Sequence, residues 1–415
     1  MPKTAVILQI IPGIDTGGAE RTVIDVAEAI AMAGGRALVA SEGGRLEKEL
    51  ADAGGELIRM SVAAKNPLTI LANARKLGTL IAERGVTLVH ARSRAPAWSA
   101  LLAARRAGVP FVTTYHGIYN QKGRLKSWYN GVMARGAIVI ANSQYTARIV
   151  QERHGTPGDR LRVIYRGADL RRFDPAAVSA ERVAALRTAW DVPLGVRLVV
   201  MAARLTRWKG QHVALGAAAR VLTRPDLQDV VLILAGDDQG RTAYSDELRQ
   251  RIAAMGLSER IRLTGHCADM PAAYLAASLA LMPSIEPEAF GRVSAEAQAM
   301  GCPVIVSDLG ALPETIVSPD RAKNAGDATG WVSPAGDEEA LAERIVAALS
   351  MPREARDAMS AAARRHVAVN FSKAALQRET LRVYDSLLDT ELALTFQGFS
   401  SQHEDFLQSS SRIRL

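Results

Sequence analysis

Short apolar runs without polar alternation, separated by stretches of helical period, set the pattern of this chain. In its first part Ala5–Ile11, Ala37–Ala40, Glu56–Met60, Thr87–Ala91, Phe111–Thr114, Ala137–Ala141 and Arg162–Tyr165 read as strands. Between them Ala19–Met32, Pro67–Arg84, Ala95–Ala107 and Tyr145–His154 read as helices. After a polar interval the alternation restarts, with strands at Arg197–Ala202, Val230–Ala235, Ile261–Thr264, Leu279–Met282, Pro303–Ser307 and Gly330–Val332. Helices are predicted there near Gln211–Leu222, Tyr244–Met255, Val293–Met300 and Asp337–Leu349. Apolar strands alternating with helices predict parallel sheets covered on both faces.

The interval 171–195 is polar and carries Pro175 and Pro193, so it reads as a linker with one short helical stretch. The predicted organisation is an N-terminal domain at 1–170, the linker, and a second domain at 196–370. A helix follows at 371–395, and a Ser- and Gln-rich tail at 396–415 is expected to be disordered. Open parallel sheets bind ligands at the carboxyl ends of their strands. The expected site is therefore the cleft between the two halves.

The chain has 415 residues, of which 48% are hydrophobic, enough for large cores. Two cysteines, Cys267 and Cys302, make no disulfide framework and point to a reducing, cytoplasmic setting. No apolar run reaches the roughly 18 residues of a membrane span. The apolar start leads into a glycine turn and reads as a buried strand, not a signal peptide. The formal charge is +8 and unevenly spread. Between Glu83 and Glu152 there is no acidic residue, while ten Lys or Arg occur. That bias points to an anionic partner, with a merely soluble basic surface as the alternative.

Four places carry candidate chemistry. In Glu288-Ala-Phe-Gly-Arg-Val-Ser-Ala-Glu296 two glutamates flank a turn and a helix start. Amides near Phe290, Gly291 and Arg292 suit a phosphate there. Ordinary charged helix positions are the alternative, although Glu296 among alanines needs a partner. Arg204 and Lys209 lie between a strand and a helix, a diphosphate site by charge and position or else a solvated basic loop. Gly17-Gly18 follows the first strand, at a spacing unlike the dinucleotide fingerprint. His116 follows strand Phe111–Thr114, a position open to either a structural or a catalytic role. No Asp-x-Asp pair ends a hydrophobic run, and no His/Asp/Glu group has metal-ligand spacing, so no metal is expected.

In this order these residues, together with Ala235-Gly236 and Val304–Gly310, resemble the retaining glycosyltransferases of family four. The resemblance implies two Rossmann-like α/β domains facing a central cleft, the GT-B fold. It implies that Arg204 and Lys209 bind the donor diphosphate, with Gly17, Gly18 and Arg292 beside it. Glu288 would bond the transferred sugar, the amides of Phe290 and Gly291 its phosphate side, and Glu296 the ribose. His116 would sit at the reacting sugar, Gly265, His266 and Met270 near the base, and the helix at 371–395 would cross back onto the N-terminal domain. No cofactor is implied, since the nucleotide-diphosphate sugar is a substrate. Tyr165-Arg166-Gly167-Ala168-Asp169 departs from the Pro-Asn-Gly-Val-Asp of many relatives and adds a cation at Arg166.

In such a family the basic first domain would receive the acceptor. Lys122, Arg124, Lys126 and Trp128 mix cations with an aromatic ring, as an anionic membrane surface requires. The expected acceptor is thus a lipid-linked saccharide or polysaccharide of cell-envelope synthesis, in lipopolysaccharide fashion, on the inner face of the plasma membrane. A nucleotide-sugar epimerase on the same fold is the alternative enzyme. A basic nucleic-acid-binding protein explains the charge but not the paired glutamates, and no nucleic-acid partner is expected.

Overall fold

The computed structural model describes residues 4–15, 17–63, 66–117, 119 and 123–398. They divide into two compact units: one runs to Arg166 and resumes at Lys373, and the other is Gly167–Ser372.

The first unit alternates β1 (Val6–Ile10), α1 (Gly18–Met32), β2 (Arg36–Ser41), α2 (Glu47–Asp52), β3 (Gly55–Arg59), α3 (Pro67–Arg84) and β4 (Leu88–Ala91). It continues with α4 (Arg94–Ala107), β5 (Phe111–Tyr115), α5 (Arg124–Asn130), β6 (Ile138–Ala141), α6 (Gln144–His154) and β7 (Leu161–Val163). The second unit holds α7 (Ala180–Ala189), β8 (Arg197–Ala202), α8 (Gln211–Leu222), β9 (Val230–Ala235), α9 (Thr242–Ala254) and β10 (Ile261–Gly265). Then come α10 (Met270–Ala276), β11 (Ala277–Met282), α11 (Arg292–Ala299), β12 (Val304–Ser307), β13 (Gly330–Ser333), α12 (Glu338–Leu349) and α13 (Arg353–Asn370). The last helix, α14 (Lys373–Leu388), belongs to the first unit.

All thirteen strands lie within a residue or two of the apolar runs that predicted them. Local chemistry sets the helix ends. Asn66 caps α3 by accepting from the Leu68 amide, with Pro67 in the first turn, and Ser143 caps α6 by accepting from Thr146. The short helices α2, α5 and α10 carry too few turns to show a period and were not anticipated. Within 171–195, the predicted linker, α7 packs against α10, and Arg182 holds Asp269 with two hydrogen bonds of 3.0 and 2.7 Å.

Both sheets are parallel throughout, in the orders β3-β2-β1-β4-β5-β6-β7 and β10-β9-β8-β11-β12-β13. In each, chain order reverses about the central pair: β1 beside β4, and β8 beside β11. Crossover connections leave on opposite faces there, which opens a crevice at the strands' carboxyl ends. Every strand residue of β1 is buried, because helices cover both faces. Ile7 and Val39 belong to one core, which also takes Leu376, Leu381 and Tyr384 of α14. Leu8 and Val89 belong to the opposite core. Beyond α14, Asp385 accepts from the Leu392 and Ala393 amides, and Phe396 is buried in the same core as α14. Most of the predicted tail, 399–415, lies outside the described residues.

Candidate active site

The topology puts candidate chemistry on the segments leaving the central strands. In the second unit these are Ala203–Gly210 after β8 and Pro283–Gly291 after β11. The Ile285 amide donates to the Trp208 carbonyl at 2.9 Å, which joins the two segments directly. Lys209 Nζ donates to Glu288 Oε1 at 2.7 Å, and Ser284 Oγ donates to the same oxygen at 2.5 Å. The Glu288 backbone is fixed in turn by a bridge to Gly310 and by the Ala311 amide donating to its carbonyl. Two of the predicted site residues, 79 positions apart, thus form one ion pair.

Arg204 sits on the same β8 segment. Its carbonyl is held by Gln211 Nε2 at 2.8 Å, while among the described residues its guanidinium reaches only Gln239 Oε1, at 3.4 Å. That loose contact leaves the cation available for an anion. Gly291, at φ 108°, turns the chain into α11 in a conformation that a side chain would strain. A Cβ there would lie 2.6 Å from Leu312. The Ser294 amide already donates to the Gly291 carbonyl at 3.0 Å, and the helix dipole favours negative charge at that end. The Phe290 ring is buried and packs edge-on against Phe371 at 5.6 Å. Only its backbone can serve a ligand.

Glu296 has the partner its alanine neighbours cannot supply: Arg292 Nε donates to Glu296 Oε1 at 2.7 Å. Tyr274 of α10, for which the sequence holds no signal, is fully buried, and its hydroxyl has no hydrogen-bond partner among the described residues. Burial, and then the charge of Glu296, push that phenol well above its usual pKa. Gly265 ends β10, His266 is exposed, and Met270 begins α10. They share the β10–α10 connection.

In the first unit the corresponding segments follow β1, β4, β5 and β7. Gly17 and Gly18 open α1. A Cβ on Gly18 would meet the Arg166 guanidinium, so a side chain here would push that guanidinium from its present place. Arg166 Nη2 donates to His116 Nδ1 at 3.0 Å, and His116 Nε2 is buried without a hydrogen-bond partner among the described residues. Burial, then the charges of Arg166 and Arg92, hold the His116 imidazole well below its usual pKa. Gly18, His116 and Arg166 each stand out singly in the sequence, but their union does not.

Beneath them lies a buried polar chain that the local pattern of residues does not reveal. Arg92 donates to Gln9 Oε1 through Nε at 2.9 Å and Nη2 at 2.6 Å, and to Thr114 Oγ1 at 3.3 Å. His90 bridges Thr114 Oγ1 and the Tyr384 hydroxyl, each at 2.7 Å. Alternation along β4 hides both residues, since His90 reads as one polar position in an apolar strand.

The remaining first-unit candidates lie on α5. Lys122 falls outside the described residues. Arg124 and Lys126 are exposed, as are Leu125 at 85% and Trp128 at 58%. Trp128 stacks on Trp98 of α4 at 4.4 Å, and the Arg135 guanidinium lies against both rings. No helix among the described residues is long and apolar enough to cross a membrane. Among those residues no group of His, Cys, Asp or Glu is arranged to hold a metal ion.

Comparison with known proteins agrees with this architecture. Residues 16–172 match Glycosyltransferase Family 4, and residues 184–366 match Glycosyl transferases group 1. A glycosyltransferase from Rickettsia africae is 33% identical and superposes with a TM-score of 0.85, over 94% of this chain and all of that one. The chain belongs to the family-four glycosyltransferases of the GT-B class. Anabaena HepE, solved with UDP-glucose, is 26% identical, with a TM-score of 0.76 over 92% of this chain and all of that one. A D-inositol 3-phosphate glycosyltransferase of Corynebacterium urealyticum is 30% identical over 253 residues, 60% of this chain. That match spans 57% of the relative's length, and the chain spans less than two thirds of the curated relatives it matches first.

Proposed function

We propose that this protein is a retaining, metal-independent glycosyltransferase that moves a hexose from a nucleotide-diphosphate sugar onto a phosphate-bearing saccharide. The observation that carries this reading is the Lys209–Glu288 pair beside Arg204 and the start of α11. It puts cations, helix-start amides and a carboxylate on the two segments that leave the central strands of one sheet.

In this reading the second unit takes the donor. As the anomeric carbon–oxygen bond breaks, charge grows on the leaving diphosphate, and Arg204, Lys209 and the α11 amides stabilise it where it develops. Cations fixed in the chain do this work in place of a metal ion. Glu288 orients the hydroxyls of the transferred sugar, and Glu296 holds the ribose. No carboxylate is assigned to the opposite face of the sugar, so attack comes from the same face, assisted by the leaving phosphate, and configuration is kept. A uridine nucleotide is the favoured donor class, because HepE was solved with UDP-glucose.

The first unit takes the acceptor, with His116 at the reacting sugar. A phosphate on the acceptor suits the acid-free stretch of this unit and the inositol phosphate in the names of the curated relatives. Lipid-linked phosphosaccharides of the cell envelope are the favoured form, since Leu125 and Trp128 stand exposed beside Arg124 and Lys126. Cosedimentation with vesicles containing anionic lipid, lost on Arg124→Glu with Lys126→Glu, tests that surface.

The decisive assay is a mass-spectrometric screen of nucleotide sugars, with and without phosphorylated acceptors and with excess EDTA. Transfer that survives EDTA and keeps the anomeric configuration is the expected result. An epimerised donor formed without acceptor would replace this reading with the epimerase one. Loss of transfer in EDTA, restored by Mg²⁺ or Mn²⁺, would overturn the metal-free part.

A further inference from the structure

His116 is held from one side only. Its Nδ1 lies 3.0 Å from Arg166 Nη2, and its Nε2 is buried with no hydrogen-bond partner among the described residues. An arginine side chain carries donors and no acceptor. Nδ1 must therefore accept, and the neutral ring must carry its single proton on Nε2. A second proton would have to go onto Nδ1, into the guanidinium.

The charged and titratable surroundings reinforce this. Arg166 faces the ring from the segment after β7, and Arg92 from the segment after β4. His90 of β4 couples to it weakly. Tyr119 meets the His116 backbone, and the Arg94 guanidinium lies over the Tyr119 ring at 4.1 Å. The Asn142 amide reaches the His116 carbonyl at 3.4 Å. None of these groups offers the imidazole a carboxylate, and the two charges that act on it are positive. Asp25 acts on Arg92 and not on the ring.

We propose that Arg166 is a positioning residue that locks His116 in the Nε2–H tautomer, so that His116 is a neutral hydrogen-bond donor to a substrate oxygen and cannot act as a general base. The proposal rests on the reading of His116 as a group that meets the reacting sugar. It gives a purpose to the cation standing where many relatives carry Asn. A permanent donor next to two guanidinium groups suits an oxygen that is negative or becoming so, such as a phosphate oxygen or a polarised hydroxyl.

The glycine turn is part of the device. Arg166 reaches the ring by passing against Gly18, where any side chain would occupy the space of its guanidinium. A change at Gly18 should therefore disturb His116 although the two residues are 98 positions apart by number.

The test is the long-range ¹H–¹⁵N spectrum of the full chain labelled only at histidine, with His116→Gln identifying the His116 signals among the seven histidines. Expected for the wild type is an Nε2–H, Nδ1-unprotonated ring that does not titrate between about pH 5 and pH 8. In Arg166→Asn the same ring should lose its fixed tautomer, and its apparent pKa should rise towards the usual range of a free imidazole, because one of the two cations acting on it is gone. A wild-type ring protonated on Nδ1, ordinary titration in the wild type, or identical spectra in Arg166→Asn would each overturn the proposal. The wild-type spectrum decides by itself if the variant does not fold. This readout needs no turnover, so a failed transfer assay would count against the proposed reaction and not against the tautomer.

Discussion

Lys209 and Glu288 lie 79 positions apart, yet their side chains meet at 2.7 Å with less than a fifth of either exposed. The lysine that should hold a diphosphate is thus neutralised before ligand arrives. Glu288 keeps its place through Ser284, the Gly310 bridge and the Ala311 amide, so it is an anchored carboxylate, not a mobile one.

Glu288→Gln preserves volume and removes the charge. Turnover should fall about 100-fold or more, as when one preorganised polar group is lost from a reacting centre. Nucleoside diphosphate affinity should hold or rise, because Lys209 is released. Glu296→Gln should behave differently, raising the donor KM with little change in kcat, since a ribose contact alters little during reaction. Steady-state kinetics with calorimetry separates the two, and identical profiles would refute the separate roles.

Arg204→Ala combined with Lys209→Ala should weaken nucleoside diphosphate binding by roughly 100-fold or more, at about 1.5–3 kcal/mol for each charged hydrogen bond lost. Circular dichroism should be unchanged, because Arg204 is held mainly through its carbonyl. Calorimetric affinity equal to wild type would remove both residues from the donor site.

Tyr384→Phe deletes the hydroxyl that meets His90 Nδ1 at 2.7 Å in a fully buried setting. Stranding a buried ring nitrogen should cost about 1–3 kcal/mol. The loss belongs to the first unit, whose core α14 completes, and denaturant titration would measure it. A variant as stable as wild type would show that the His90–Tyr384 bond contributes nothing net.

Acid should destabilise the first unit. Burial, then the charge of Arg92, hold His90 well below its usual pKa, and His116 is lowered in the same direction. The unfolded histidines bind protons near pH 6.5 while the folded ones do not. Their contribution is therefore full above about pH 6.5 and is lost as pH falls towards the folded values. Melting temperature should drop between about pH 7 and pH 5, and less so in His90→Gln once normalised to its own value at neutral pH. A melting temperature flat across that range would contradict the assignment.

The sequence by itself determined the two parallel α/β sheets, because strands buried on both faces must be apolar along their whole length. That requirement leaves runs such as Val230–Ala235 that no solvent-facing element would show. It also exposed the glycine turn, the two cations and the two glutamates, since each stands beside a strand or helix end that local pattern reveals. Short helices such as α10 escaped, as one or two turns carry no readable period, and with α10 went Tyr274 beside Glu296. Which residues pair was the decision of tertiary structure alone. Lys209 with Glu288, Arg166 with His116 and Gly18, and Tyr384 with His90 are all joined across long sequence separations by strand order and by the return of α14. Hydrogen bonds and charge act over a few ångströms of space, and distance along a chain says nothing of that until the sheet has folded.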